Sequence, residues 1–267
     1  MVSQPKKLPP YEMIGTIALI EFPKYYRGQE KAAKKILIQH KNLKTAAKKA
    51  SATQGKYRIR KIKPIAGEKT TETMCKESNC QFKIDLNKAY YTNRFSHERL
   101  RIASLIKKQE NILVLFSGIC PFPIVIEKNT NGLPNQIIAI ELNKEAHRLA
   151  LENISLNKCK KITAINADAK TELKKKKYKN WAHRILMPHP SASMDFFPQA
   201  LSAAKNSSII HLYAFDQTGQ NGKNILKKAN SMAKRKKLKL KLINSRVARP
   251  FSAKTEQIVL DLKLIKE

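Results

Sequence analysis

Two acids stand where strand tips would present them to a ligand. Glu141 closes the apolar run Ile137-Ile138-Ala139-Ile140, and Asp168 follows Ile162-Thr163-Ala164-Ile165. Upstream, Ile112-Leu113-Val114-Leu115-Phe116 is broken by Ser117-Gly118-Ile119-Cys120-Pro121. An acid ending the second of three parallel strands is placed to bind both hydroxyls of a ribose, and a further acidic tip can take an adenine amino group. The turn after the first strand has one glycine where a dinucleotide fingerprint needs three, so taken alone it is an ordinary structural turn. Glu141 alone is equally a solvated acid at a helix entry. In the order strand, turn, helix, strand, acid, these residues point to an adenosine-type cofactor, with Phe116 lining its pocket.

The elements that must hold this arrangement follow from residue 88 onward. Residues 96–106 read as a helix with Ser96 as a plausible cap, and Asn143 is an N-cap for residues 144–156, with Glu145 in the first turn. Residues 183–187 and 208–215 read as strands, and residues 191–204 and 222–235 as helices. Residues 238–246 and 257–264 close the chain as alternating strands, which suggests an antiparallel hairpin at one sheet edge. Repeated βα units imply a mostly parallel sheet with right-handed crossovers. The expected fold class is α/β, a doubly wound, Rossmann-like sheet of the class I methyltransferase kind. A small N-terminal α+β domain precedes it, giving domains at 1–88 and 89–267. In the first, residues 14–20 read as one strand and residues 29–40 as a basic helix with Ala33, Ile36 and Leu37 inward. Residues 56–62 alternate basic with apolar, a half-buried strand with cations on one face, and residues 81–86 form another alternating segment.

Charge narrows the partner. The 267 residues carry 53 Lys+Arg against 20 Asp+Glu, a net +33. An AT-rich genome would raise Lys, but it would usually raise Glu as well. A field this positive calls for a polyanion, and nucleic acid is the default. Lys-rich runs at 31–49, 170–179 and 227–241 each read singly as a solvated face; together they favour a phosphate-contacting surface. No stretch is long and apolar enough to span a membrane, and the N-terminus lacks a signal-peptide centre. Cys75, Cys80, Cys120 and Cys159 show no zinc spacing. A Cys75–Cys80 disulfide is one option; otherwise these are reduced thiols of a cytoplasmic protein.

Several segments, in order and at similar spacing, resemble the archaeal and eukaryotic tRNA (guanine-N1)-methyltransferases acting at position 37. Tyr90-Tyr91-Thr92-Asn93-Arg94-Phe95-Ser96-His97-Glu98-Arg99 is similar to their Tyr-Phe-Ser-Pro-Arg-Leu-x-x-Glu-Arg signature. Leu115-Phe116-Ser117-Gly118-Ile119-Cys120-Pro121-Phe122 resembles their cofactor loop, Met-Phe-Ala-Gly-x-Gly-Pro-Phe. Ala139-Ile140-Glu141-Leu142-Asn143 and Glu152-Asn153-Ile154-Ser155-Leu156-Asn157-Lys158 are similar to the segments that follow. Arg184-Ile185-Leu186-Met187-Pro188-His189-Pro190 resembles Arg-Val-Ile-Met-Asn-Leu-Pro. The resemblance runs from about Ile14 to the C-terminus.

The resemblance implies methyl transfer from S-adenosylmethionine to a guanine ring nitrogen of tRNA. It implies Glu98 as general base and Arg58 as the arginine that stabilises the developing oxyanion, with Arg60 on the same side of its strand. It places Arg99, Phe116, Glu141, Leu142, Asp168, Ala169 and the backbone near Pro188 around the cofactor. A plain helix pair of Glu98 with Arg101 or Arg94 is the competing reading for Glu98. Pro188 stands where the family has Asn, Cys120 replaces the second loop glycine, and Val114 replaces an acid. Pro188 resembles the bifunctional archaeal subgroup, which also methylates C7 of 4-demethylwyosine at the same nucleotide. The domain by which many members grip the outer corner of tRNA is not expected here, and the Lys surface would take its place. The partner expected is tRNA at its anticodon region, with no DNA and no membrane. Two alternatives are an aminocarboxypropyl transferase of wyosine synthesis and a non-catalytic basic RNA-binding relative.

Overall fold

The computed structural model describes residues 8–50 and 61–266. Its centre is a seven-stranded sheet in the order β12-β13-β11-β10-β7-β8-β9. The strands are β7 (Asn111–Leu115), β8 (Gln136–Glu141), β9 (Ile162–Asn166), β10 (Ala182–Met187), β11 (Ala204–Gln217), β12 (Leu238–Ser252) and β13 (Thr255–Lys266). The first five run parallel, and β13 then pairs antiparallel with both β11 and β12. β7 buries Ile112 to Leu115 completely because helices cover both of its faces. The chain winds from β7 out to β9 and returns through β10 to the other side. Strand order therefore reverses between β7 and β10, where open α/β sheets bind their ligands.

The covering helices are α2 (Ser96–Ser104), α3 (Pro121–Asn129), α4 (Lys144–Leu156), the single turn α5 (Ala169–Glu172), α6 (Ser193–Ala203) and α7 (Lys223–Lys234). Asn143 caps α4 as its sequence predicts, taking the Glu145 N–H at 3.0 Å. Ser96 does not cap α2. A short 3-10 turn, Asn93–Phe95, precedes that helix, and the Thr92 hydroxyl caps the turn through the Arg94 N–H at 3.3 Å.

Ahead of this layer lies a four-stranded sheet, β1 (Tyr11–Ile14), β2 (Ile17–Ile20), β3 (Thr45–Lys49) and β4 (Ile62–Gly67), with α1 (Gln29–Gln39) crossing between β2 and β3. The single strand predicted over residues 14–20 is instead the β1–β2 hairpin. Gly15 turns it at φ +54°, where a side-chain carbon would stand 2.2 Å from the Thr73 hydroxyl and 2.3 Å from the Met74 carbonyl. Of the basic strand predicted over residues 56–62, only Lys61 and Ile62 fall within the described residues. β5 (Glu72–Glu77) and β6 (Cys80–Asp85) form a separate hairpin, turned by Ser78 and Asn79, both with positive φ. Cys75 and Cys80 on it are free buried thiols, so the optional disulfide is not formed.

The edge of β6 is closed by side chains. Asn153 on α4 and Asn157, its C-cap one turn on, act as a surrogate strand. Asn153 accepts the Lys83 N–H at 2.7 Å and donates to the Lys83 carbonyl at 3.1 Å. Asn157 does the same for Gln81 at 2.9 and 2.7 Å. Asn153 is fully buried, so its removal leaves two backbone groups of Lys83 without partners, each costing about 1–3 kcal/mol. Asn153→Ala should lower the midpoint of thermal unfolding by several degrees; an unchanged midpoint would refute the strand-surrogate role.

Candidate functional site

The strand tips at the switch point converge. Phe116 leaves β7 in a left-handed conformation at φ 56°, Gly118 and Cys120 repeat it at 56° and 65°, and the loop then enters α3. Three such residues within five form a tight loop whose amides face across the tips. Burial pushes the Cys120 thiol up to about 12, so this loop carries an inert neutral group, not a nucleophile.

Glu141, at the end of β8, is locked to the loop. One carboxylate oxygen accepts the Gly118 N–H at 2.7 Å and the other the Asn143 N–H at 2.8 Å. Burial raises its pKa, while those backbone donors pull it back. Each oxygen keeps a lone pair for a further donor. Asn166 donates to the carbonyls of Glu141 and Leu142 at 2.9 and 3.1 Å, drawing the β9 tip alongside. Asp168 caps α5 through the Lys170 N–H at 2.8 Å, and Ala169 is buried behind it. Across the switch point the Phe116 ring meets His189 at 5.1 Å and Phe196 at 4.8 Å, and Lys170 lies 4.8 Å over Phe196. Phe116, Glu141, Leu142, Asp168, Ala169 and Pro188–His189 all lie at or just past the C-terminal ends of β7, β8, β9 and β10, and make up the rim of the switch point. His189 and Phe196 were not singled out by sequence, because only the fold sets them against Phe116. Two surface hollows, of about 210 and 820 Å³, are lined by none of the rim residues.

Arg99 does not join this rim. Its guanidinium is 3% exposed, paired with Glu77 of β5, bonded to the Thr92 carbonyl at 3.0 Å and set 5.4 Å over the Tyr91 ring. Its partners tie α2 to the β5–β6 hairpin. Arg58 and Arg60 lie outside the described residues.

Glu98 is the other centre. It projects from the first turn of α2, is 4% exposed, and takes three hydrogen bonds and one further ion pair. Arg101 donates to Oε2 at 2.9 Å and to Oε1 at 2.8 Å. The Tyr213 hydroxyl donates to Oε1 at 2.6 Å, and Arg246 approaches Oε2 at 3.2 Å. The helix pair with Arg101 is real, then, but it is one part of a larger network; the Arg94 pair does not form, and Arg94 meets Glu12 instead. Arg101 continues to Asp261 on β13 at 2.7 and 3.2 Å, Asp261 meets His211 Nδ1 at 2.6 Å, and His211 Nε2 meets Arg184 at 2.8 Å. Arg184 ends the chain in a two-pronged pair with Glu110 at 2.7 and 2.9 Å. Arginine can only donate, so His211 Nε2 accepts and its proton lies on Nδ1, toward Asp261. Sequence spacing gave no sign of Tyr213, His211, Arg246 or Asp261.

Burial lowers the His211 pKa, with Asp261 opposing. Burial works upward on Asp261, but its His211 and Arg101 bonds outweigh it and hold it well below the usual carboxylate range. Both groups refuse protons that the unfolded chain accepts. Their stabilisation is complete at neutral pH and drains as pH falls, first through His211 below about 6.5. Urea unfolding should show stability decreasing from pH 7.5 to 5.5, and His211→Gln should flatten that slope. An equal slope in both proteins would sink the neutral-histidine assignment.

Comparison with known proteins identifies the family and the fold. The family model of the TRM5/TYW2 methyltransferase domain matches residues 73–241. The tRNA (guanine(37)-N(1))-methyltransferase Trm5b of Pyrococcus abyssi is 30% identical over 255 residues, covering 95% of this chain and 74% of that one. The tRNA (guanine(37)-N(1))/4-demethylwyosine(37)-methyltransferase Taw22 of Nanoarchaeum equitans is 38% identical over 148 residues, 55% of this chain and 48% of its own. The crystal structure of wild-type Trm5b from Pyrococcus abyssi superposes with a TM-score of 0.86 at 29% identity, covering 97% of this chain and 76% of that one.

Proposed function

This chain belongs to the TRM5/TYW2 methyltransferase family, and from that premise we propose that it methylates N1 of guanosine 37 in tRNA, using S-adenosylmethionine. The observation that carries the proposal is the pairing of two features. One is a rim of strand tips at the switch point, holding a carboxylate with lone pairs to spare. The other is a buried carboxylate at Glu98, oriented by arginines.

The residues present suit the cofactor. Glu141 is oriented by two backbone donors for a pair of ribose hydroxyls, with Leu142, Asp168 and Ala169 beside it on the adenosine side. Gly118 leaves the loop open, since a side-chain carbon there would find its nearest neighbour, the Tyr90 carbonyl, at 3.9 Å. Phe116 and the backbone near Pro188 would flank the reacting end. When bound, S-adenosylmethionine supplies an electrophilic methyl group.

The remaining chemistry falls to the protein. Guanine N1 carries a proton that must leave as the new bond forms, and Glu98 is the base we assign to it. Arg58 is the residue we assign to the charge that builds on O6. Arg99 belongs in this scheme as the anchor of α2. Residues 1–88 would act as the substrate-facing module and 89–267 as the transfer domain. The net +33 and the Lys-rich runs suit the phosphates around the anticodon. No helix among the described residues is long and apolar enough to cross a membrane, and we place the reaction in the cytoplasm, on tRNA and not DNA. Pro188, in place of the family's Asn, and the bifunctional relative from Nanoarchaeum equitans support a second activity on C7 of 4-demethylwyosine.

Nucleoside mass spectrometry of tRNA incubated with protein and cofactor tests this reading. Expected is 1-methylguanosine at position 37 of a transcript, and a methyl gain on tRNA carrying 4-demethylwyosine. A larger, aminocarboxypropyl-sized gain would replace the methyl reading, and no gain on either tRNA would end it. Glu98→Gln should lower turnover by about 10²-fold or more while thermal stabilisation by the cofactor persists.

A further inference from the structure

Strand β12 is out of step with β13 at two points that decide where its arginines face. Ile243 is inserted between the pairs Leu242–Leu262 and Asn244–Asp261, and Ala248 between Val247–Ile258 and Arg249–Gln257. Side chains alternate along a strand, so one inserted residue sends everything beyond it to the opposite face. Were Ile243 paired in step rather than bulged, Arg246 would stand opposite Ile258, part of the core that includes Ile225 and Ala229 of α7. With it, Arg246 stands opposite Val259, part of the core built with Ile102 of α2 and Phe122 of α3. The second insertion keeps Arg249, three positions on, on that same face, where its guanidinium lies 5.6 Å from the Phe95 ring.

This placement matters because the Glu98 carboxylate is crowded by cations. Each oxygen offers two lone pairs. Oε1 takes hydrogen bonds from Tyr213 and Arg101, and Oε2 takes one from Arg101 and stands in an ion pair with Arg246. A substrate N–H that is to reach Oε2 must displace one of these neighbours. Tyr213 is fully buried, and Arg101 is pinned by two bonds to Asp261. Arg246 sits on the edge strand with its side chain 38% exposed and makes the longest of the four contacts, 3.2 Å. It is the donor free to go.

We propose that Arg246 is a catalytic residue that exchanges partners when the base enters. This rests on the reading of Glu98 as the base. Guanine N1–H takes the place of Arg246 on Oε2, and the displaced guanidinium turns to O6, the carbonyl oxygen bonded to the carbon next to N1. As the methyl carbon leaves sulfur and bonds to N1, the N1 proton passes to Oε2 and the N–H electron pair stays in the ring. The charge that would gather on O6, assigned above to Arg58, then meets a second cation already beside it. The resting pair also keeps Glu98 compensated while no substrate is present.

The test compares Arg246→Ala and Arg246→Lys with the wild type at saturating tRNA and cofactor. Arg246→Ala should lower kcat by about 10²–10³-fold, with KM for tRNA changed by only a few fold and cofactor-induced thermal stabilisation unchanged. Arg246→Lys should fall between, and millimolar guanidinium should restore part of the alanine variant's turnover but none of that of Glu98→Gln. Turnover of Arg246→Ala within twofold of wild type would overturn the proposal. So would a loss seen only in KM, or one that guanidinium does not relieve, since either would make Arg246 a phosphate contact or a structural residue. A wild-type protein that transfers no methyl group would instead overturn the parent reading.

Discussion

The bidentate bond between Arg101 and Asp261 is the join on which the Glu98 network depends. Arg101 bonds both Glu98 on α2 and Asp261 on the antiparallel strand β13, across 160 residues of sequence in the second case. Through it a helix that could otherwise rotate on the sheet is fixed in register with β11 and β13. The three carboxylates of the network, Glu98, Asp261 and Glu110, are matched by the guanidinium groups of Arg101, Arg184 and Arg246. Such a buried chain contributes little net stability, because desolvation offsets most of the attraction. Removing one member is another matter, since a bare charge is left inside and the loss is typically about 3–5 kcal/mol. The network therefore specifies one arrangement without making the fold much more stable.

The neutral histidine in this chain has its own logic. A charged His211 would stand between Arg184 and Arg101 inside the sheet. Keeping the proton on Nδ1 lets one ring accept from Arg184 and donate to Asp261, so the imidazole links a cation to an anion without carrying charge itself. Tyr213 plays a comparable part. Burial and the Glu98 charge raise its pKa well above the ordinary value, so it remains a donor.

The rim at the switch point is built on a different principle. There the precision comes from backbone: three left-handed residues between Phe116 and Cys120, and a Glu141 carboxylate held by main-chain N–H groups. Phe116 and Cys120 hold a conformation that glycine adopts more readily. They are kept there by neighbours on both sides, the aromatic contacts of Phe116 and the complete burial of Cys120. Cys120 in a position where relatives carry glycine is thus accommodated by packing.

Sequence by itself determined the order of βα units, the cap at Asn143 and the strand-tip places of Glu141 and Asp168. These depend on hydrophobic period and on residues a few positions apart, which the chain displays directly. It also marked Glu98 and offered its Arg101 partner, three residues away on the same helix face. Only tertiary structure decided that Gly15 splits the first strand, because the obstruction comes from Thr73 and Met74. It alone turned Arg99 toward Glu77, and it alone brought Tyr213 and Asp261 to the Glu98 cluster. The facing of Arg246 was beyond the reach of pattern altogether. A period-two reading of β12 assigns it to the other side, and it is the inserted Ile243, accommodated by pairing with β13, that turns it toward the site.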